Sequence, residues 1–123
     1  MPWSFQADTP IYTQLVARLQ EQIVSGAYPP GSKLPSVRDL AADAGVNPNT
    51  VQRAFAELER LGLIYTQRTS GKFVTEDAAA IDAARRALAE GQTRQYLAAM
   101  SALGFDRAAL ITFLNQLEGT KDA

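Results

Sequence analysis

The sequence predicts a mainly α-helical fold with one small β-hairpin. Three observations carry that reading. Residues 36–62 hold two stretches of helical apolar spacing on either side of a short turn that contains Gly45. Two β-prone runs follow at once, one at residues 63–67 and one at 72–74, around the turn Thr69-Ser70-Gly71. Across residues 78–109, twelve of 32 positions are alanine, so the rest of the chain favours helix.

The first helix is expected to start at Thr9-Pro10, with Thr9 as cap and Pro10 at the first helical position. Ile11, Leu15, Leu19 and Ile23, with Tyr12 and Val16 beside them, form one stripe. Gly26 ends the helix, where a residue tolerant of positive φ is wanted. Trp3 and Phe5 are expected to pack as a short extended anchor, and Tyr28-Pro29-Pro30-Gly31 reads as a turn. Ser36, with Asp39 three residues later, gives the second helix a start like a capping box. Its buried side is Val37, Leu40 and Ala41, and Gly45 closes it. Asn47 and Pro48 restart a helix as cap and first residue. Val51, Phe55, Leu58 and Leu61 then set its buried rhythm as far as Gly62. Two helices separated by so short a turn make a helix-turn-helix. A hairpin directly after the second helix is a wing, with Phe73 and Val74 as core. In the tail, Ile81, Ala84, Leu88, Leu97, Met100 and Leu103 form an apolar stripe interrupted near Gly91. Asp106 caps a last helix with Leu110, Ile111, Leu114 and Leu117 on one face, and Gly119 ends it. The fold class is therefore mainly α with a small β-wing: a winged helix-turn-helix followed by an α-helical dimerisation tail.

Composition narrows the function. Of the 123 residues, 46% are hydrophobic and 20% charged, which is ordinary for a soluble domain of modest size. The chain has neither cysteine nor histidine. That removes disulfides, thiolate metal sites, cysteine nucleophiles and the commonest general base. No pair of carboxylates stands out, so an enzyme is not expected and no metal or cofactor is called for. No run reaches the apolar length of a bilayer span, and MPWSFQADTP lacks the basic-then-apolar pattern of a signal peptide. Cytoplasmic residence with no membrane partner is the expectation. Net charge is −1, yet residues 30–75 carry a net +2 and residues 76–123 a net −2. Phosphate binding needs local positive charge, not a basic whole.

The segment LPSVRDLAADAGVNPNTVQRAFAELERLGLIYTQRTSGKFV resembles the DNA-binding domain of the GntR family of bacterial regulators, and the upstream PIYTQL and IVSGAYPPGSKLPS fit the same family. The likeness covers roughly residues 9–75 and joins many spaced positions rather than one short motif. The short two-helix tail looks like that of the YtrA subfamily, whose members are dimers without the large ligand-binding domain of other GntR groups. The resemblance implies a winged helix-turn-helix, palindromic operators and usually repression.

A recognition helix exposes its N-terminal residues where the groove is closest. Here these are Asn47, Asn49, Thr50, Gln52 and Arg53. Asn and Gln can read adenine edges through paired donor and acceptor groups, and Thr50 can bond phosphate or touch a thymine methyl. Asn47 serves equally as a helix cap, and Arg53 has Glu57 four residues on as an alternative partner. Ser36 and Lys33 are candidates for phosphate bonds. The resemblance implies a DNA contact for Arg38, against the alternative of a salt bridge with a neighbouring acid. The wing departs from the family's Arg-Gly-x-Gly-Thr-Phe-Val, because Thr69 stands at the first glycine and Lys72 at the threonine. Arg68 is the first choice for a groove or backbone contact, with Thr69, Ser70 and Lys72 as further candidates. Thr69 disfavours positive φ, so the tip is expected to take a different path.

Residues 1–75 are thus expected to form the DNA-binding domain and residues 76–123 the dimerisation tail. Two such helices cannot bury both faces on a small winged domain, and a second copy is the simplest cover. The dimer interface is expected at Ile81, Leu88, Leu97, Met100, Leu103, Leu110, Ile111, Leu114 and Leu117, with Tyr96 and Phe113 as dimer core. Arg85, Arg86 and Arg94, set among Asp82 and Glu90 at helical spacing, read as a solvated ion-paired face rather than a second basic site. The expected function is a homodimeric, sequence-specific regulator of transcription, with double-stranded DNA carrying an inverted-repeat operator as its partner. The alternative is a winged protein-interaction module without sequence-specific DNA binding. The tail is too short for a closed effector pocket within one subunit, and no residue identifies an effector.

Overall fold

The computed structural model describes residues 3–117. Its elements are α1 (Ile11–Val24), α2 (Val37–Ala44), α3 (Pro48–Arg60), β1 (Ile64–Gln67), β2 (Gly71–Val74), α4 (Ala78–Ala102) and α5 (Arg107–Gln116). The chain divides into two compact units, Met1–Arg85 and Arg86–Ala123.

In the first unit both α1 and α2 pack on α3. The α1 stripe of Leu15, Leu19 and Ile23 joins Leu40 and Ala41 of α2 and Val51, Ala54, Phe55 and Leu58 of α3 in one core. Helix starts follow the sequence at α2 and α3. The Ser36 hydroxyl accepts the Asp39 N–H at 3.0 Å, and the Asn47 side chain accepts the Asn49 N–H at 2.8 Å. Pro48 then opens α3, where a missing N–H leaves nothing unsatisfied. Gly45 ends α2 in the left-handed conformation at φ 70°, which turns the chain into α3 within three residues.

Two expectations fail at helix ends. Thr9 does not cap α1: Pro10 occupies the cap position and makes no side-chain bond there. The Gln14 amide organises this end instead. It donates to the carbonyls of Gln6 and Thr9 and accepts the Gln6 N–H, so one side chain ties the N-terminal arm to the first turn. Leu61 is the other case. It continues the buried rhythm in sequence but is 41% exposed. The helix stops at Arg60, Gly62 turns at φ 78°, and the Leu63 N–H reaches back to the Leu58 carbonyl. Leu63 is thereby buried in place of Leu61.

β1 and β2 pair antiparallel, from Ile64 opposite Val74 to Gln67 opposite Gly71. Among the described residues every positive φ belongs to a glycine, so Thr69 is not forced into that region. The tip closes with the Ser70 N–H on the Gln67 carbonyl, and Gly71 at φ 111° absorbs the turn. The wing also has a third, unforeseen strand-like segment. The Val74 N–H donates to the Ser32 carbonyl, the Leu34 N–H donates to the Lys72 carbonyl, and Lys33 pairs with Phe73. Val74 is core as expected, and Phe73 is half-buried and stacked on Tyr65.

The N-terminal arm is anchored by Trp3, whose indole donates to Asp43 at 2.9 Å and lies under the Arg18 guanidinium. Phe5 stacks on it. The first turns of α4 also belong to this unit. Ile81, expected at the dimer surface, is 5% exposed inside the core of its own chain, with Ala84 packed beside it. Arg85 donates to the Val24 carbonyl.

In the second unit α4 runs unbroken through Gly91, so only the apolar stripe is interrupted there and not the helix. Residues 91–99 are all exposed. A turn at Gly104 leads to α5, whose cap is Asp106 accepting the Ala109 N–H at 2.8 Å. Leu110 is buried, and the Phe105 and Phe113 rings lie 5.2 Å apart. α5 ends at Gln116; Gly119, expected to end it, lies outside the described residues. The pairs Arg85–Asp82 and Arg94–Glu90 form the solvated ionic face expected of them. Among the described residues no single helix is long and apolar enough to cross a membrane.

Candidate nucleic-acid interface

The core stripe of α3 fixes which of its residues face outward. With Val51, Ala54, Phe55 and Leu58 buried, helical spacing leaves Asn49, Gln52, Arg53 and Ala56 exposed and Thr50 half-buried. Asn47 is exposed at the start of the helix, where its side-chain oxygen is already engaged as the cap. Its amide nitrogen is a separate donor, so capping and DNA contact are compatible. Ser36 is similar: its hydroxyl accepts as the α2 cap, and the hydroxyl proton is a second function. Arg38 is exposed on the first turn of α2. Arg68 and Thr69 are exposed at the wing tip, and Ser70 is half-buried. Lys33 is exposed and its stem lies against the wing, since a β-carbon on Gly71 would sit 3.3 Å from Lys33 Cε. Val37, Gln52, Phe55, Ala56, Glu59 and Lys72 line a groove of about 460 Å³ among α2, α3 and the wing.

Two cations have partners that local spacing does not reveal. Arg53 does not pair with Glu57. Its guanidinium lies over the Tyr12 ring of α1, 4.0 Å from the centroid. Glu57 is taken by Arg60, one turn on, through two bonds of 2.9 and 2.5 Å. That contact holds the Glu57 carboxyl below its ordinary pKa and pushes the Arg60 guanidinium above its own. Tyr12 leaves Arg53 charged and oriented, since a ring face attracts a cation without neutralising it.

Lys72 departs further from the expectation of a DNA contact. Its ammonium donates to Glu59 of α3 and, at 2.7 Å, to the Thr66 hydroxyl of β1. The Thr66 hydroxyl in turn donates to the same Glu59 oxygen at 2.6 Å. Glu59 is held below the usual carboxylate range by the Lys72 bond first and the Thr66 bond second, against the opposing effect of burial. Thr66 and Lys72 face each other across the hairpin, so that half of the arrangement follows from register. Glu59 lies on another element, and its part was not visible in sequence.

The profile of the family described as "Bacterial regulatory proteins, gntR family" matches residues 11–74. The chain is 47% identical over 73 residues to the HTH-type transcriptional repressor YtrA of Bacillus subtilis, a match that covers 59% of this chain and 56% of that one. A GntR family transcriptional regulator from Listeria monocytogenes superposes with a TM-score of 0.85 at 41% identity, over 93% of this chain and 100% of that one. AraR(DBD), solved in complex with operator ORX1, superposes with a TM-score of 0.57 at 28% identity, over 61% of this chain and 96% of that one. The match runs from α1 through the wing and, in the Listeria protein, across the tail as well. The chain therefore belongs to the gntR family of bacterial regulatory proteins, as a DNA-binding transcription regulator with a winged helix-turn-helix.

Proposed function

We propose that the protein is a cytoplasmic homodimeric repressor that binds an inverted-repeat operator. The reading rests on one observation above others: the second unit leaves large apolar side chains uncovered. Leu103 is 70% exposed, Ile111 50%, Leu117 42% and Leu97 37%. Leu88, Met100 and Leu114 beside them in sequence are half-buried. So much exposed aliphatic surface on one short unit marks an interaction site, and two-fold pairing of identical copies is the commonest way to close one. The second unit then serves as the dimerisation tail, while residues 76–85, Ile81 among them, stay in the first. Two α3 helices would enter major grooves about 34–36 Å apart, or a multiple of that. Asn49, Thr50 and Gln52 read base edges. Lys33, Ser36, Arg38, Asn47, Arg53 and Arg68, with Thr69 and Ser70 at the tip, hold the backbone and set register. The name of the Bacillus relative, a repressor, supports the direction of regulation.

Selection of bound duplexes from a random library tests this. An enriched inverted repeat with one half-site per subunit is the expected result. Equal retention of all sequences would overturn the reading.

Asn47 offers a finer check. Asn47→Ala removes the α3 cap and is expected to lower stability by about 0.5–2 kcal/mol. Asn47→Asp keeps a capping oxygen, so its Tm stays near wild type, but it sets a carboxylate toward phosphate and weakens operator binding. Thermal melts and gel shifts on the two variants separate the roles. Wild-type affinity in the Asp variant would leave Asn47 as a cap alone.

A further inference from the structure

Gln52, Ala56 and Glu59 lie on one face of α3, spaced four and three residues apart, and all three line the groove beside the wing. The face proposed to read bases thus runs, at its wing end, into a carboxylate. An unpaired carboxylate there would meet phosphate with like charge. Lys72, directly across on β2, cancels it, and Thr66 of β1 bonds both. Three elements meet in this contact. The Lys72 side chain is only 29% exposed.

We propose that Glu59 is a positioning residue, which keeps Lys72 off DNA phosphates and so removes one contact that would strengthen binding to every sequence alike. The proposal rests on the reading of the protein as a sequence-specific DNA binder. A free ammonium at the wing would follow the phosphate backbone whatever the bases are. Its gain would be shared by operator and non-operator duplexes, so it would raise affinity everywhere without adding discrimination between them. The Glu59 carboxylate prevents this by holding the ammonium against the helix. The wing tip then meets DNA through Arg68, Thr69 and Ser70. The same bonds hold the hairpin against α3, so Glu59 acts on DNA through Lys72 and the wing as a positioning residue.

The test compares wild type, Glu59→Gln, Lys72→Met and the double variant on operator and non-operator duplexes across a salt series, with Tm measured for each. Glu59→Gln is expected to bind both duplexes several-fold more tightly, with a salt slope steeper by about 0.9 per chain, the value of one phosphate contact. Lys72→Met keeps the aliphatic stem and should leave the slope at the wild-type value. The double variant should return to that value. Three results would overturn the proposal. A shallower slope in Lys72→Met would mean that Lys72 touches phosphate already. An unchanged slope in Glu59→Gln, with lower Tm and equal losses on both duplexes, would leave the contact as a structural brace only. A steep slope persisting in the double variant would show that Lys72 is not the cation released. Failure of the underlying DNA-binding reading is distinct, since wild type itself would then show no operator preference.

Discussion

Phe55→Ala is expected to lower the Tm of the winged unit by on the order of 20 °C. Phe55 is 1% exposed and sits on α3 in the core that it shares with α1 and α2. Truncation of a buried phenylalanine costs about 3–5 kcal/mol, as transfer energy plus the cavity left behind. Small domains have only about 5–15 kcal/mol in total. The loss also reaches function, because Phe55 holds in place the helix that carries Asn49, Gln52 and Arg53. Leu61→Ala is the matched control. It lies six residues on in the same apparent rhythm, but its exposure predicts a change within about 0.5 kcal/mol. Thermal and urea unfolding followed by circular dichroism compare the two. Equal losses would show that the α3 register described above is wrong.

That contrast marks the boundary between what the sequence states and what it does not. Ser36, Asn47 and Asp106 were legible as caps because a cap is a bond to a backbone N–H two or three residues away. Gly45 was legible for the same reason, since it acts on its own φ. Leu61 was misread because periodicity continues past the residue at which the helix stops. Ile81 was misread differently. Its face was identified, but spacing says which side is apolar and not whether the covering surface belongs to the same chain. The remaining surprises join distant segments: Arg53 to Tyr12, Lys72 to Glu59, and residues 32–34 to β2. Arg53 had a plausible local acid in Glu57, but Arg60 takes that acid through two bonds while Arg53 lies over Tyr12. No pattern in 32–34 announces a strand. Only the docking of β2 beside it supplies the partners.

The double variant Arg38→Ala/Arg68→Ala is expected to lose operator affinity by about 10²- to 10⁴-fold with little change in Tm. Both side chains are exposed, so removing them leaves the core untouched. They lie on separate elements, α2 and the wing tip, so their effects should add. A charged contact to DNA is worth roughly 1–3 kcal/mol, and each 1.4 kcal/mol is tenfold. The single variants divide the work further. A phosphate contact lowers affinity for all sequences and reduces the salt slope by about one, whereas a base contact relaxes preference at one operator position. Arg38→Lys and Arg68→Lys then sort geometry from charge. Lysine restores a point contact to phosphate but not a bidentate one to a guanine edge. Binding titrations over a salt series on the selected operator and a scrambled duplex read all of these at once. Undiminished operator occupancy in the double variant would remove both arginines from the interface. The exposed polar face of α3 would then have to act alone or meet a protein, which is the alternative that the winged fold by itself leaves open.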